Sequence, residues 1–204
     1  MNSPEPLHFY FDFISPFGYY ASLRIDALAA RHGRVVNWHP MLLGVSVLKV
    51  MGLKPLLDTP LKGPYTARDM KRYARLHGIT LGREPDAPLM NPLTPGRAFA
   101  WAKRHHPDAA KTLAQSMLHA YWHDGVDLSD PAALATISLP DMISGAKLVE
   151  AVQGPEAAQL LRDEVDASLK AGVFGSPTVV VDSEMFWGVD KLAQVEIWLE
   201  RGGW

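Results

Sequence analysis

The chain has 204 residues, 48% of them hydrophobic, with 20 basic and 22 acidic side chains and a formal net charge of −2. That balance has no polyelectrolyte signature and argues against nucleic acid as a partner, while the length suffices for a full hydrophobic core. Cysteine is absent, which excludes a disulfide framework, thiolate metal sites and a thiol nucleophile of the protein's own, so any thiol chemistry must come from a bound cofactor.

Met1-Asn2-Ser3-Pro4-Glu5-Pro6 has neither the basic nor the apolar region of an export signal. No apolar run approaches the roughly 18–20 residues needed to span a bilayer. The expectation is a soluble, cytoplasmic protein with no membrane partner. Residues 7–14 are almost continuously apolar and aromatic, as in a strand covered on both faces. Ser15 is a good N-cap and Pro16 suits a first helical position. Tyr19, Tyr20, Leu23, Ala27 and Leu28 follow at near-helical spacing as far as His32-Gly33, which predicts one helix over 16–32. Val35-Val36-Asn37-Trp38-His39 is the next strand, completing a βαβ unit of the kind that crosses over right-handed to a parallel neighbour.

From Leu43 to Ala171 the texture is helical, with segments predicted at 44–51, 65–77, 93–105, 108–123, 131–137, 140–150 and 155–170. Joints such as Lys54-Pro55, Gly63-Pro64, Glu84-Pro85 and Asn91-Pro92-Leu93-Thr94-Pro95 separate them. Gly172-Val173-Phe174-Gly175-Ser176-Pro177 then leads into a strand over 178–182, a tight turn at Asp182-Ser183-Glu184 and a short strand over 185–187. A last helix runs from Asp190, as N-cap, to about Arg201, where Gly202-Gly203 end it.

Two side-chain constellations stand out inside the helical stretch. Lys62, Tyr65, Asp69 and Arg72 are spaced three, four and three apart, so on one helix they share an arc of about 80°. An ordinary solvated ion-pair face is the structural alternative. His119 and His123 stand four apart on a predicted helix, but the metalloprotease pattern needs Glu where Ala120 stands, and the sequence offers no third ligand. A surface role is therefore expected there, and no metal site.

The order of elements is that of an α/β thioredoxin-like fold, with residues 1–42 and 172–204 forming a discontinuous thioredoxin-like domain and 43–171 an inserted all-α domain. With Phe-Asp-Phe-Ile-Ser-Pro-Phe at 11–17, Gly-Val-Phe-Gly-Ser-Pro-Thr at 172–178 and Phe-Trp-Gly-Val-Asp-Lys-Leu at 186–192, the chain resembles the 2-hydroxychromene-2-carboxylate isomerases. These group with the kappa-class glutathione transferases and are cousins of the DsbA oxidoreductases. The likeness covers nearly the whole chain.

The resemblance implies a glutathione-dependent cis/trans isomerase acting on an aromatic hydroxychromene carboxylate or benzylidenepyruvate through a glutathione thiolate adduct. It also implies a homodimer. Ser15 is then the catalytic residue, its hydroxyl supporting the thiolate, which fits the stabilisation an anion gains from a hydroxyl donor. Glutathione contacts implied by the resemblance fall on Ser15, Phe17, Lys62, Ser176, Pro177, Trp187, Gly188 and Asp190, with the Ser176 backbone clasping the cysteinyl part and Asp190 the γ-glutamyl ammonium. Substrate contacts fall on Lys62, Tyr65, Arg72, Asn91 and Arg97, the last two having loop and helix capping as their alternative. Ser176 stands where the family more often has Val or Leu, which predicts a more polar pocket. Gly52-Leu53-Lys54-Pro55 stands where the family has Gly-Asn followed by Pro, and a leucine cannot make the asparagine's polar contact. A glutathione transferase or peroxidase, or a non-catalytic glutathione-binding module, is the alternative to the isomerase.

Overall fold

A computed structural model describes residues 4–84 and 87–204; Met1-Asn2-Ser3 and the proline of the Glu84-Pro85 joint lie outside them. Four strands form one sheet: β1 (Leu7–Phe11), β2 (Val36–Pro40), β3 (Thr178–Val181) and β4 (Glu184–Trp187), in the order β2-β1-β3-β4. β1 and β2 are parallel, Leu7 facing Val36, whereas β1–β3 and β3–β4 are antiparallel. As a central strand, β1 buries Leu7, Phe9 and Phe11 completely, with Trp38 of β2 edge-on to both phenylalanine rings.

β1 is shorter than the apolar run 7–14 suggests because the chain turns sharply after Phe11. The Asp12 carboxylate accepts the Ile14 amide at 3.2 Å, and the Ser15 amide donates to the Asp12 carbonyl at 3.0 Å. The predicted helix over 16–32 is two helices, α1 (Pro16–Ser22) and α2 (Ile25–Arg31). Ser22 bonds back to the Tyr19 carbonyl at 2.6 Å, a local competition with the backbone ladder that bends or breaks helices.

Between β2 and β3 the chain is helical. Residues 44–50 wind as a π-helix, not the α-helix expected over 44–51: the Met51 amide reaches the Ser46 carbonyl, a five-residue step. After a 3₁₀ turn at Leu56–Asp58 come α3 (Lys62–Leu76), α4 (Leu93–His105) and α5 (Pro107–Trp122). A 3₁₀ turn at Pro131–Ala135, α6 (Gly145–Gln153) and α7 (Pro155–Lys170) follow. α6 starts later than expected, since the Ile143 amide bonds the Pro140 carbonyl in a turn ahead of it. The last helix, α8 (Leu192–Arg201), closes at Gly202 in the left-handed conformation. Among the described residues no helix is long and apolar enough to cross a membrane.

Strands and most helices share one core, with a second, smaller cluster of Ala100, Leu161 and Val165 where α4 meets α7. α4 and α7 pack on β2, and α1 packs on α3 and α5. Trp122, fully buried at the end of α5, donates its indole N–H to the Phe13 carbonyl at 2.9 Å, and Tyr20 of α1 donates to the Met70 carbonyl of α3 at 3.1 Å. Truncating a core aromatic of this size costs about 3–5 kcal/mol. The first bond holds the β1–α1 turn against α5, and the second ties α1 to α3.

Candidate active site

Ser15 is 4% exposed and caps α1: its Oγ accepts the Gly18 amide at 3.0 Å. The same oxygen donates to the carbonyl of Ser176 at 3.0 Å. The Ser176-Pro177 peptide bond is cis, so the β1–α1 turn meets the proline loop ahead of β3 through the Ser15 hydroxyl.

The Ser176 side chain points the other way. Its Oγ accepts the Asp12 amide at 3.0 Å, and a Cβ on Gly18 would stand 2.7 Å from it. The oxygen of that hydroxyl is therefore engaged by the backbone.

On the far side of Pro177, the Gly188 amide donates to the Pro177 carbonyl at 2.9 Å. Gly188 has φ 115°, so glycine is required there by conformation, and Asp190 Oδ1 sits close against it, 2.5 Å from where a Cβ would stand. Asp190 lies in a 3₁₀ turn, Val189–Lys191, with its side chain 74% exposed and 3.7 Å from Lys191 Nζ. It does not cap α8, whose N-cap is Lys191 without a side-chain bond. The cap expected at Asp190 is not formed, because the extra 3₁₀ turn displaces it from the helix mouth. Trp187 is 53% exposed and lies edge-on to Phe174. Its indole occupies the space a Cβ on Gly175 would need. Phe17, half-buried, stands edge-on to Tyr20.

α3 does extend back to Lys62, with Tyr65, Asp69 and Arg72 on one face. Arg72 donates to the Tyr65 hydroxyl at 3.3 Å and pairs with Asp69. Lys62, Tyr65 and Arg72 are all exposed; among the described residues no hydrogen bond joins this face to Ser15, Ser176 or Asp190. Asn91 and Arg97 have local partners. The Asn91 side chain accepts the Leu93 amide at 3.1 Å ahead of α4, and Arg97 reaches the Val152 carbonyl at the end of α6 at 3.4 Å. Leu53 is 56% exposed.

Asp12 is the residue sequence reasoning passed over. Fully buried, it accepts the Leu43 amide at 2.7 Å and the Ile14 amide at 3.2 Å. Burial pushes its carboxyl up to about 6, against the opposing pull of those backbone bonds. The signal was available: a carboxylate inside a continuous apolar run must be paired or functional. It joins the β1–α1 turn, the segment after β2 and, through its amide, the proline loop.

A serine-bearing βα turn thus faces a cis-proline loop across one hydrogen bond. The chain belongs to the DSBA-like thioredoxin domain family, whose model matches residues 6–200. It is 27% identical over 203 residues to the 2-hydroxychromene-2-carboxylate isomerase of Sphingobium xenophagum, covering 96% of this chain and 98% of that protein. Human glutathione S-transferase kappa 1 is 23% identical over 203 residues, covering 93% and 88%. The solved structure of a 2-hydroxychromene-2-carboxylate isomerase superposes with a TM-score of 0.76 at 24% identity, over 96% of this chain and 94% of that one. The fold is thus the thioredoxin-like α/β fold expected from the sequence.

Proposed function

We propose that the protein is a glutathione-dependent cis/trans isomerase acting on an aromatic hydroxychromene carboxylate or benzylidenepyruvate. The observation that carries this reading is the Ser15 hydroxyl, a proton donor aimed at the proline loop in a chain without cysteine. The names of its relatives, an isomerase of this substrate class and a glutathione transferase, point the same way.

The residues fit glutathione. Ser15 can turn its O–H from the Ser176 carbonyl to a sulfur while its oxygen keeps the Gly18 amide, so the cap survives. The Ser176 carbonyl, so released, is an acceptor for the amide of a bound cysteinyl residue. Asp190 offers an exposed carboxylate to an ammonium, and Trp187 an exposed indole against Phe174. Glutathione held by these residues would supply a nucleophilic thiolate for the activated double bond.

Lowering a thiol from about 8.5 by about two pH units needs roughly 2.7 kcal/mol, within reach of a charge-assisted hydrogen bond of about 1.5–3 kcal/mol and a helix-end dipole of about 0.3–1 kcal/mol. Lys62 and Arg72 supply positive charge for the substrate carboxylate, with Tyr65 between them on the α3 face. Asn91 and Arg97 are left to their structural bonds.

The test is the thiol balance of the reaction. Isomerisation of hydroxybenzylidenepyruvate should proceed with catalytic glutathione and no net loss of thiol. Consumption of thiol in step with substrate would select a transferase instead, and no turnover with glutathione would refute the assignment.

A further inference from the structure

The histidine pair near the end of α5 lacks a third ligand in the linear pattern, and the fold provides one. His119 Nδ1 lies 3.2 Å from Asp124 Oδ2 and His123 Nδ1 lies 2.8 Å from Asp124 Oδ1. The two imidazoles stack with centroids 4.2 Å apart, and one ligand atom from each residue falls within 4.8 Å of the others. We propose that His119, His123 and Asp124 form a binding site for a divalent transition-metal ion, for which zinc is the best match.

The spacing suits that ion. Zinc holds nitrogen and oxygen ligands at about 2.0–2.1 Å, so tetrahedral neighbours stand about 3.3 Å apart; each imidazole is already about that far from one carboxylate oxygen of Asp124, and all three groups lie within 4.8 Å, so small side-chain rotations complete the set. An ion entering between the groups replaces the protons that now bridge them. Two imidazoles with one carboxylate select zinc, nickel or copper over magnesium and calcium, which prefer all-oxygen shells.

The ligands sit on fixed backbone. The amides of His123 and Asp124 both bond the His119 carbonyl, at 2.8 and 3.2 Å, and the Gly82 amide bonds the Trp122 carbonyl at 2.9 Å. Gly82 packs so tightly there that a Cβ would overlap the His123 carbonyl, and one on Gly125, at φ 75°, would meet the Gly82 carbonyl oxygen at 2.8 Å. With Trp122 fully buried next to His123, the backbone needs little ordering on binding, which favours affinity, while the ligand side chains themselves are 40–50% exposed and accessible to an ion. His119 and Asp124 also line a groove of about 480 Å³ with Thr112, Ser116, Thr136 and Ser138, so the remaining coordination positions are open to water.

A second grouping, His32 with Glu196 and Glu200, serves as the internal control. Glu196 there is already engaged by Arg31 at 2.5 Å. Zinc titrated calorimetrically into the untagged chain at neutral pH should bind one ion per chain in the micromolar range and raise the melting temperature. His119→Ala, His123→Ala and Asp124→Asn should each weaken binding about tenfold or more, a loss of about 1.4 kcal/mol, without changing the melting temperature in the absence of zinc. His32→Ala should leave zinc affinity as it was. Cobalt should bind in zinc's place with a visible absorption band of low-coordinate geometry, whereas calcium should not compete. Absence of saturable binding at one ion per chain, or binding undiminished in the three ligand variants, would overturn the site.

Discussion

Ser15 gives its hydroxyl proton to the carbonyl oxygen of Ser176, 3.0 Å away, and takes the amide hydrogen of Gly18 at the same distance. One side chain therefore caps a helix and ties it to the proline loop, and only its donor half is free to be redirected to a ligand. Ser15→Ala should lower isomerase turnover by about ten- to a thousandfold, the effect of losing about 1.5–4 kcal/mol of preorganised anion stabilisation. Glutathione affinity should change less. Steady-state kinetics at saturating glutathione check this, and unaltered turnover would remove Ser15 from the chemistry.

Gly18 is a helical glycine that alanine should not improve. Alanine usually gains about 1 kcal/mol over glycine inside a helix, but a Cβ here stands 2.7 Å from Ser176 Oγ. Displacing that hydroxyl strands the buried Asp12 amide, at about 1–3 kcal/mol. Gly18→Ala should thus be destabilising in the native background and less so in Ser176→Ala. A denaturation double-mutant cycle should give a coupling of about 0.5–3 kcal/mol; simple additivity would contradict the contact.

Asp12 should leave its mark on the pH dependence of stability. Its folded carboxyl titrates near 6, above the unfolded value of 3.8, so the folded state holds the proton more tightly. That contribution is complete below the unfolded value and is lost as pH rises through about 6, at most about 3 kcal/mol in all. The stability of the native protein relative to Asp12→Asn should therefore fall between about pH 4 and 6. Urea unfolding across this range measures it, and a flat difference would mean that Asp12 is not desolvated as described.

Asp190 separates binding from folding, since it caps no helix. Asp190→Asn should leave the melting temperature unchanged and weaken glutathione binding by up to about fivefold, the range of an exposed ion pair worth about 0.2–1 kcal/mol. Calorimetric titration together with a melt reads both. Unchanged affinity would take Asp190 out of the ligand site.

Much of this architecture is legible in the chain because local chemistry and tertiary role coincide. Ser15-Pro16 is a cap signal and also falls at the proposed site, and the apolar runs of β1 and β3 are the buried strands themselves. The features the sequence does not show depend on longer or subtler contacts. The π-helical stretch 44–50 carries no periodicity that distinguishes it from an α-helix, and the 3₁₀ turn at Val189–Lys191 moves a good capping residue off the helix end. The break after Ser22 comes from one side chain bonding its own backbone. Nor does any spacing reveal that Asp124, one residue past His123, folds back to face both imidazoles, or that Ser176 turns its hydroxyl inward to Asp12.

The central claim is that Ser15 supports a glutathione thiolate, and the most direct measurement is the titration of that thiol while bound. Ultraviolet thiolate absorbance of the glutathione complex, followed against pH, should give a value about two units below the free thiol's roughly 8.5. In the Ser15→Ala complex the value should return most of the way. A bound thiol that titrates as it does in free solution, or one shifted equally with and without the Ser15 hydroxyl, would contradict the account.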